Sequence, residues 1–124
     1  MIDMPEKNAD ADAIGQVLSC YLKGPREANS ALMRPAFAEE AAICGFLGPD
    51  KFAGPIEMLF SFVDSSEPST GIGASVKSFY LSGGIAVVVA EVVNWAGHDF
   101  EDILTFVKFG DAWKISSKAF RLVA

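Results

Sequence analysis

The feature that most restricts this sequence is an abrupt change of composition near its middle. All six prolines lie at or before Pro68, whereas eight of the ten valines lie at or after Val76. Proline interrupts the hydrogen-bonded ladder of a sheet, and β-branched valine packs well on a pleated surface. We therefore expect helices in the first half, packed on a strongly curved antiparallel sheet formed by the second. Neither half has enough complementary apolar surface to close a core alone, so the fold class is α+β, with one domain over residues 1–124.

The first half predicts helices with one short strand among them. Residues Ile14 to Leu22 place apolar side chains at the spacing of one helix face, Asn8 precedes them as a cap, and Gly24-Pro25 is expected to end the helix. The other elements expected here are a helix over Arg26–Met33 ended by Pro35, a strand over Ala41–Leu47, a helix that begins at Pro55 and a polar loop from Asp64 to Gly73.

The second half predicts four strands joined by short turns that contain glycine. The turns Gly83-Gly84, Gly97-His98 and Gly110-Asp111 are short enough to form hairpins, and their lengths fix which residues pair across the strands. The predicted strands lie near Ala74–Leu81, Ile85–Trp95, Asp99–Phe109 and Ala112–Val123.

Successive side chains of a strand point to opposite sides, so these turns divide the sheet into two apolar faces. The first face is richer in large aromatics and is expected to meet the helices; it holds Val76, Tyr80, Val87, Val89, Glu91, Val93, Trp95, Phe100, Asp102, Leu104, Phe106, Trp113 and Ile115. The second face is more mixed and holds Phe79, Leu81, Val88, Val92, Asn94, Ile103, Thr105, Val107, Phe109, Lys114, Ser116, Lys118, Phe120 and Leu122.

The helices can cover only one of these faces, and an exposed apolar patch of the size that remains is unusual in a monomer. A mixture of polar and apolar side chains is typical of an interface rather than a core. We therefore expect a homodimer that forms through the second face, at the part bearing Phe79, Val92, Asn94, Ile103, Thr105, Val107 and Phe120.

Two carboxylates, Glu91 and Asp102, fall on the first face. In the predicted register Glu91 pairs with Leu104, which makes Asp102 its diagonal neighbour. A carboxylate held in an apolar pocket can act as a general acid or base on a carbon acid, and both residues are candidates for that role. The alternative is that they pair with Arg121 or Lys108 and have no chemical role.

Aromatic and apolar side chains are the candidates for a ligand pocket between the helices and the sheet. Either tyrosine can donate a hydrogen bond to a developing oxyanion. The candidate lining is Tyr21, Phe46, Met58, Phe62, Tyr80, Trp95 and Trp113, most of which can equally be ordinary core residues.

Charge and spacing argue against several other kinds of partner and site. The net charge is −6 and no basic stripe is present, which disfavours nucleic acid and anionic membranes. The start of the chain lacks the features of a signal peptide, so we expect a cytoplasmic protein in which Cys20 and Cys44 are reduced, buried thiols. His98 falls in a turn, and no His, Cys and carboxylate group has metal-ligand spacing, so neither metal nor cofactor is expected.

Two stretches carry a family resemblance. The segment Phe106–Ile115 resembles the closing hairpin of the nuclear transport factor 2-like (cystatin-like cone) superfamily, with Gly110 and Asp111 in swapped order, and Pro35–Ala41 is similar to the segment after that superfamily's second helix. The branch it most resembles is the small bacterial "putative lumazine-binding" and polyketide-cyclase-like group. The resemblance implies helices packed on a strongly bent sheet. Where the family has His and Asp, this chain has Ala38 and Glu40.

The superfamily includes ketosteroid isomerases, polyketide cyclases, dehydratases and non-catalytic binding domains, so the resemblance leaves three functions open. The first is a homodimeric domain that binds a small apolar or aromatic molecule in a cavity between the helices and the concave sheet. The second is a cofactor-free isomerase, cyclase or dehydratase that uses Asp102 or Glu91 as proton carrier. The third is a dimeric interaction module without a ligand.

Overall fold

The structure is a computed structural model and describes residues 2–123. A long N-terminal helix and a shorter second helix pack on a curved six-stranded sheet, which confirms the α+β class. The elements are α1 Ala9–Glu27, 3-10 turns at Ser30–Leu32 and Arg34–Ala36, β1 Phe37–Leu47, β2 Asp50–Pro55, α2 Glu57–Asp64, β3 Gly73–Ser82, β4 Ile85–Trp95, β5 His98–Phe109 and β6 Ala112–Leu122.

The sheet order is β2-β1-β6-β5-β4-β3. The meander predicted for the second half is confirmed, because β3, β4, β5 and β6 are antiparallel neighbours. The strand predicted over Ala41–Leu47 is part of β1, which joins this meander by running parallel to β6. Strand β2 was not predicted at all. It is an edge strand that contains Gly54 and ends at Pro55, which is where a sheet tolerates such residues.

Helix α1 begins as predicted and ends later than predicted. The side chain of Asn8 accepts a hydrogen bond from the backbone N–H of Ala11 at 2.8 Å. The helix continues through Gly24-Pro25 to Glu27 and closes at Ala28, whose φ of 54° is left-handed. The helix predicted over Arg26–Met33 is therefore wrong, since its first two residues belong to α1 and a 3-10 turn follows. Pro55 likewise ends β2 instead of beginning α2.

The pairing of β4 with β5 differs from the predicted register. Trp95 pairs with His98, so the turn is Ala96-Gly97, and the ladder is irregular between Val92 and Trp95. Glu91 consequently pairs with Glu101 and not with Leu104. A shift by an odd number of residues moves every side chain of a strand to the other face. The faces predicted for β4 are therefore inverted: the residues turned into the core are Ala86, Val88, Ala90 and Val92.

Two further irregularities change the faces of β6 and β3. Thr105 pairs with Ser117 while Phe106 pairs with Ile115, so Ser116 is an extra residue in β6. After this extra residue the side chain of Lys118 points to the buried side of the sheet. The regular alternation had predicted it on the opposite face. A similar shift between Val76 and Ser78 in β3 leaves Tyr80 exposed.

We call the side of the sheet that faces α1 the inner face. Here the prediction for β5 is confirmed, because the alternating residues from Phe100 to Phe106 are buried. They pack with the apolar stripe of α1, whose buried members include Ile14 and Leu18. The largest apolar side chains that are fully buried are Phe106, Ile14, Leu18, Met33, Ile56, Leu104, Ile115, Val63, Val88 and Val92.

The other side of the sheet, the outer face, is covered by no helix of the described residues. Of the residues expected there, Ile103 is 46% exposed, whereas Val92 is fully buried and Phe79 and Phe120 pack against the core, so those three assignments are wrong. The large apolar side chains exposed on the outer face include Phe46, Tyr80, Ile85 and Ile103.

The remaining expectations concern thiols, the histidine and membrane spans. Both cysteines are free as expected, but Cys44 is exposed and Cys20 half-buried, so the expectation of buried thiols is wrong. His98 is exposed and begins β5, one residue beyond the observed turn. Neither α1 nor α2, within residues 2–123, combines the length and apolar character that a membrane crossing requires.

Candidate functional site

Three buried polar side chains meet under α1. They are Tyr21, which is 1% exposed, Asp102, which is 0% exposed, and Lys118, which is 5% exposed. Tyr21 donates a hydrogen bond from Oη to Asp102 Oδ2 at 2.6 Å, and Lys118 Nζ donates to Tyr21 Oη at 2.5 Å. Lys118 Nζ also forms an ion pair with Asp102 Oδ2 at 3.7 Å. The three groups thus form one hydrogen-bonded chain, which we call the buried triad.

Each member of the buried triad is positioned by a different element. Tyr21 continues the buried stripe of α1. Asp102 belongs to the buried alternation of β5 and pairs with Phe120, which makes Lys118 its diagonal neighbour on the inner face. The extra residue Ser116 in β6 brings Lys118 to this side. The triad therefore depends on a backbone irregularity that a strict alternation of side chains does not include.

The surroundings of the buried triad favour the protonated hydroxyl of Tyr21 and make the ammonium group of Lys118 easier to deprotonate. Burial raises the pKa of the Tyr21 hydroxyl well above its ordinary value, and the charge of Asp102 acts in the same direction. Burial lowers the pKa of the Lys118 amine, although the negative charge of Asp102 acts against this effect. The neutral amine of Lys118 is consequently more populated at a given pH than the neutral amine of an exposed lysine.

Asp102 has one free acceptor. Its Oδ2 receives the hydrogen bond from Tyr21, whereas its Oδ1 is buried and has no hydrogen-bond partner among the described residues. A buried carboxylate oxygen without a donor is unfavourable. Such an oxygen is, however, able to receive a proton, and it lies in a chain that leads through Tyr21 to Lys118.

An apolar cleft opens in front of Lys118. Its empty volume is ≈ 330 Å³, counted together with the space at its mouth that is open to solvent, so a ligand larger than about two waters extends into that mouth. We call it the Lys118 cleft; its lining is Ile43, Leu47, Phe52, Leu59, Phe62, Trp95, Phe100, Lys118 and Phe120. Lys118 is the one charged side chain of this lining, which is otherwise apolar.

Aromatic rings surround the amine. Lys118 Nζ lies 4.2 Å from the centroid of the Trp95 ring, 5.0 Å from that of Tyr21 and 5.6 Å from that of Phe120. The negative faces of aromatic rings attract a cation. The rings therefore offset part of the cost of burying the protonated form of Lys118.

The predicted pocket residues are only partly brought together. Trp95 and Phe62 line the Lys118 cleft, and Tyr21 lies directly behind its amine. Trp113 is buried elsewhere, where its indole Nε1 donates to Asp10 at 3.0 Å. The others lie away from the cleft: Phe46 and Tyr80 are exposed on the outer face, and Met58 is 37% exposed on α2.

Of the two predicted carboxylates, only Asp102 lies at the site. Glu91 is opposite Glu101 on the outer face, so the expected cluster of both carboxylates is wrong. The basic residues proposed as their partners are engaged elsewhere, Arg121 with Glu101 at 2.9 Å and Lys108 with Asp10 at 3.1 Å. The partner that Asp102 has, Lys118, was not predicted.

A second hollow lies between the 3-10 turns, the start of β1 and α2. It is larger, with an empty volume of ≈ 1690 Å³, and broadly open. Ala38 and Glu40, where the chain departs from the family pattern, line this hollow and not the Lys118 cleft. The two residues that differ from the family pattern therefore lie outside the cleft lined by Lys118.

Comparison with known proteins agrees with the fold and covers nearly the whole chain. Residues 9–121 match the protein family described as "putative lumazine-binding". The chain belongs to this family. The family lies in the NTF2-like superfamily, which confirms the resemblance read from the two sequence segments.

Three known proteins are similar to this chain over most of its length. The aldolase FrzH of Cladobotryum is 28% identical over 114 residues, which is 91% of each chain. An NTF2-like protein of unknown function from Shewanella baltica is 28% identical with a TM-score of 0.86, covering 96% of this chain and 99% of that one. Another, from Methylobacillus flagellatus, is 27% identical with a TM-score of 0.90 over 100% of both chains.

Proposed function

We propose that this protein is a cofactor-independent enzyme that binds a small apolar carbonyl compound in the Lys118 cleft and moves a proton at the carbon next to the carbonyl. The observation that carries the proposal is the buried triad, a continuous hydrogen-bonded chain that ends at Lys118, a residue of the lining of an apolar cleft. A buried ion pair with a purely structural role needs no cleft beside its lysine. A site that transfers protons to or from a substrate needs such a cleft, because the substrate must reach the amine.

Each member of the triad has a distinct role in this proposal. Lys118 is part of the cleft lining, and its amine contacts the carbonyl of the bound substrate, where it stabilises the negative charge that develops on oxygen. Tyr21 Oη lies 2.5 Å from that amine, so a proton released at the carbon reaches Tyr21 through Lys118 Nζ or a water in the cleft, while Tyr21 passes its own proton to Asp102. Asp102 is the final acceptor. The apolar walls exclude water, which strengthens each of these electrostatic contacts.

The aldolase among the relatives supports a reaction of this class. An aldol addition begins with the removal of a proton from the carbon next to a carbonyl, which is the step proposed for the buried triad. The relative is similar over 91% of its length, so the whole domain and not a fragment is shared. The substrate of this chain is proposed only as a class, a carbonyl compound with an apolar, flat body that fits between Phe62, Trp95 and Phe120.

The direct test is hydrogen–deuterium exchange at the α-carbon of two probe ketones, acetophenone and cyclohexanone, followed in D₂O by proton NMR. The wild-type protein is expected to accelerate exchange of at least one ketone, and Tyr21→Phe to slow it by about 100-fold, the usual contribution of a general acid or base. The matched control is Tyr80→Phe, which removes the same hydroxyl from the exposed outer face and should exchange like the wild type. No acceleration by the wild type, or equal rates for Tyr21→Phe and the wild type, would contradict the proposal.

We propose further that the enzyme is a homodimer that pairs through its outer face. Support comes from the exposed apolar residues there, Ile85 at 56%, Ile103 at 46% and Phe46 at 54% exposure. Contiguous apolar patches on a sheet face mark contact surfaces in soluble proteins. The inner face is closed by α1, so pairing through the outer face leaves the Lys118 cleft accessible.

A further inference from the structure

Lys118 differs from every other described lysine of the chain. Among residues 2–123 it is the one lysine that is buried. Lys108 is 34% exposed and pairs with Asp10 at the surface. Lys114 donates a hydrogen bond to the backbone carbonyl of Pro35, also at the surface. A lysine is almost never buried without a specific reason.

The contacts of Lys118 leave part of the hydrogen-bonding capacity of an ammonium ion unused. An ammonium group has three hydrogens to donate. Among the described residues Lys118 Nζ makes one hydrogen bond, to Tyr21, and its separation of 3.7 Å from Asp102 Oδ2 is an ion-pair distance and not a hydrogen bond. A neutral amine that donates one hydrogen to Tyr21 keeps a lone pair for the cleft.

The surroundings act in the same direction. Burial lowers the pKa of the Lys118 amine, and the uncharged amine is the nucleophilic form of lysine. Desolvation in an apolar pocket is one of the established ways in which proteins activate a lysine toward carbonyl groups. The aromatic walls then tolerate the positive charge that an iminium ion carries.

We infer that Lys118 is a nucleophile that condenses with the carbonyl carbon of an aldehyde or ketone held in the Lys118 cleft. The inference rests on the proposed function and deepens it: the contact between Lys118 and the substrate is a covalent bond. An iminium nitrogen draws electrons from the neighbouring carbon more strongly than a hydrogen-bonded carbonyl does. The α-proton then leaves more easily to Tyr21 and Asp102.

The step balances within the site. The lone pair of Lys118 Nζ attacks the carbonyl carbon, a C–N bond forms, and the carbonyl π electrons move to oxygen. One amine proton passes to that oxygen to give a carbinolamine. The carbinolamine oxygen then takes a second proton and leaves as water while C=N forms. The products are one imine and one water, and the protonated imine holds one further proton taken from the triad or solvent.

The experiment uses acetylacetone, a small 1,3-diketone that converts a neutral amine to an enaminone with loss of water. Wild-type protein at pH 7.5 is expected to gain one adduct per chain, of mass equal to the diketone minus water, with near-ultraviolet absorbance. Peptide mapping should place it on Lys118 in preference to the other lysines, because a lowered pKa leaves more of the Lys118 amine neutral at this pH. Lys118→Met should lose the adduct, and Lys77→Met, which removes an exposed lysine of β3, should keep it.

The pH dependence separates an activated lysine from an accessible one. Only the neutral amine attacks, so the rate of adduct formation on Lys118 should rise with pH and level off at a midpoint below 10.5, the ordinary value for lysine. Adducts spread evenly over the lysines, or a midpoint at the ordinary value, would overturn the inference. If Tyr21→Phe abolishes α-proton exchange while Lys118 forms no adduct, the covalent step is wrong and the proposed function stands. If Lys118 is modified but wild-type exchange is absent, the proposed function is wrong.

Discussion

Asp102→Ala is expected to lower the free energy of unfolding by about 3–5 kcal/mol, which is the usual cost of removing one partner of a buried ion pair. The variant leaves Lys118 buried at 5% exposure without its counter-charge. Tyr21 also loses the acceptor of its 2.6 Å hydrogen bond. Urea denaturation of the wild type and the variant at pH 7 measures the difference directly.

The loss should depend on pH with a defined sign. Without Asp102 the pKa of folded Lys118 falls further, because the carboxylate is the group that opposes the effect of burial. Between that lowered pKa and 10.5 the unfolded chain binds more protons than the folded one, so stability rises with pH in this window. The deficit of Asp102→Ala should therefore be largest near neutral pH and should shrink as pH approaches 10.5.

A second substitution separates the lost pair from the lost packing. Asp102→Leu combined with Lys118→Met should recover most of the stability, because a buried ion pair can often be replaced by apolar side chains of similar size at little cost. The control is Glu101→Ala, the neighbour on the outer face, whose exposed pair with Arg121 should contribute only about 0–1 kcal/mol. A double variant as unstable as Asp102→Ala would show that the pair is not the origin of the effect.

Ile103→Lys is expected to convert a dimer into a monomer. The substitution places an unpaired charge on the outer face, and a two-fold axis repeats it on both copies, so the dissociation constant should rise by about 1,000-fold. Sedimentation equilibrium over a range of micromolar concentrations measures both states. The fold should survive, because Ile103 is 46% exposed.

The matched control for the dimer is Leu32→Lys. Leu32 is 39% exposed and lies in a 3-10 turn away from the sheet, so the same change of charge there should leave the association unaltered. A wild-type protein that sediments as a monomer, or an Ile103→Lys variant that associates like the wild type, contradicts pairing through the outer face.

The strands were predictable because their sequence signal is strong. Long apolar segments separated by Gly-bearing turns predicted the observed bounds of β4, and those of β3, β5 and β6 to within about one residue. The faces of those strands were harder to predict. A bulge adds one residue to a strand, so every later side chain of that strand points to the opposite face from the one predicted. The irregularities near Lys77, Asn94 and Ser116 lack a strong local sequence signature.

The candidate site was predictable in part for the same reason. Asp102 and Tyr21 were found because each lies on a regular apolar stripe, of β5 and α1 respectively. Lys118 was missed because it follows the bulge in β6. A signal was present: the large side chains change phase after Ser116-Ser117, from Trp113 and Ile115 to Phe120. That change of phase places Lys118 inside.

The end of α1 shows a limit of another kind. Gly24-Pro25 is an ordinary helix-stop signal, yet the helix includes both residues, and the backbone N–H of Asn29 donates to the carbonyl of Gly24 at 2.9 Å. A side chain at Gly24 would collide with Met33, which is fully buried against it. This glycine serves close packing, which no local pattern distinguishes from a helix end.

The central claim is that a carbonyl compound meets the buried triad at Lys118, and a crystal structure of the wild-type protein soaked with acetophenone tests it most directly. The account predicts the ketone in the Lys118 cleft, with its oxygen within about 3.2 Å of Lys118 Nζ or its carbonyl carbon bonded to that atom. A ketone bound instead in the open hollow lined by Glu39 and Glu57, or on the outer face, with the Lys118 cleft unoccupied, would contradict it.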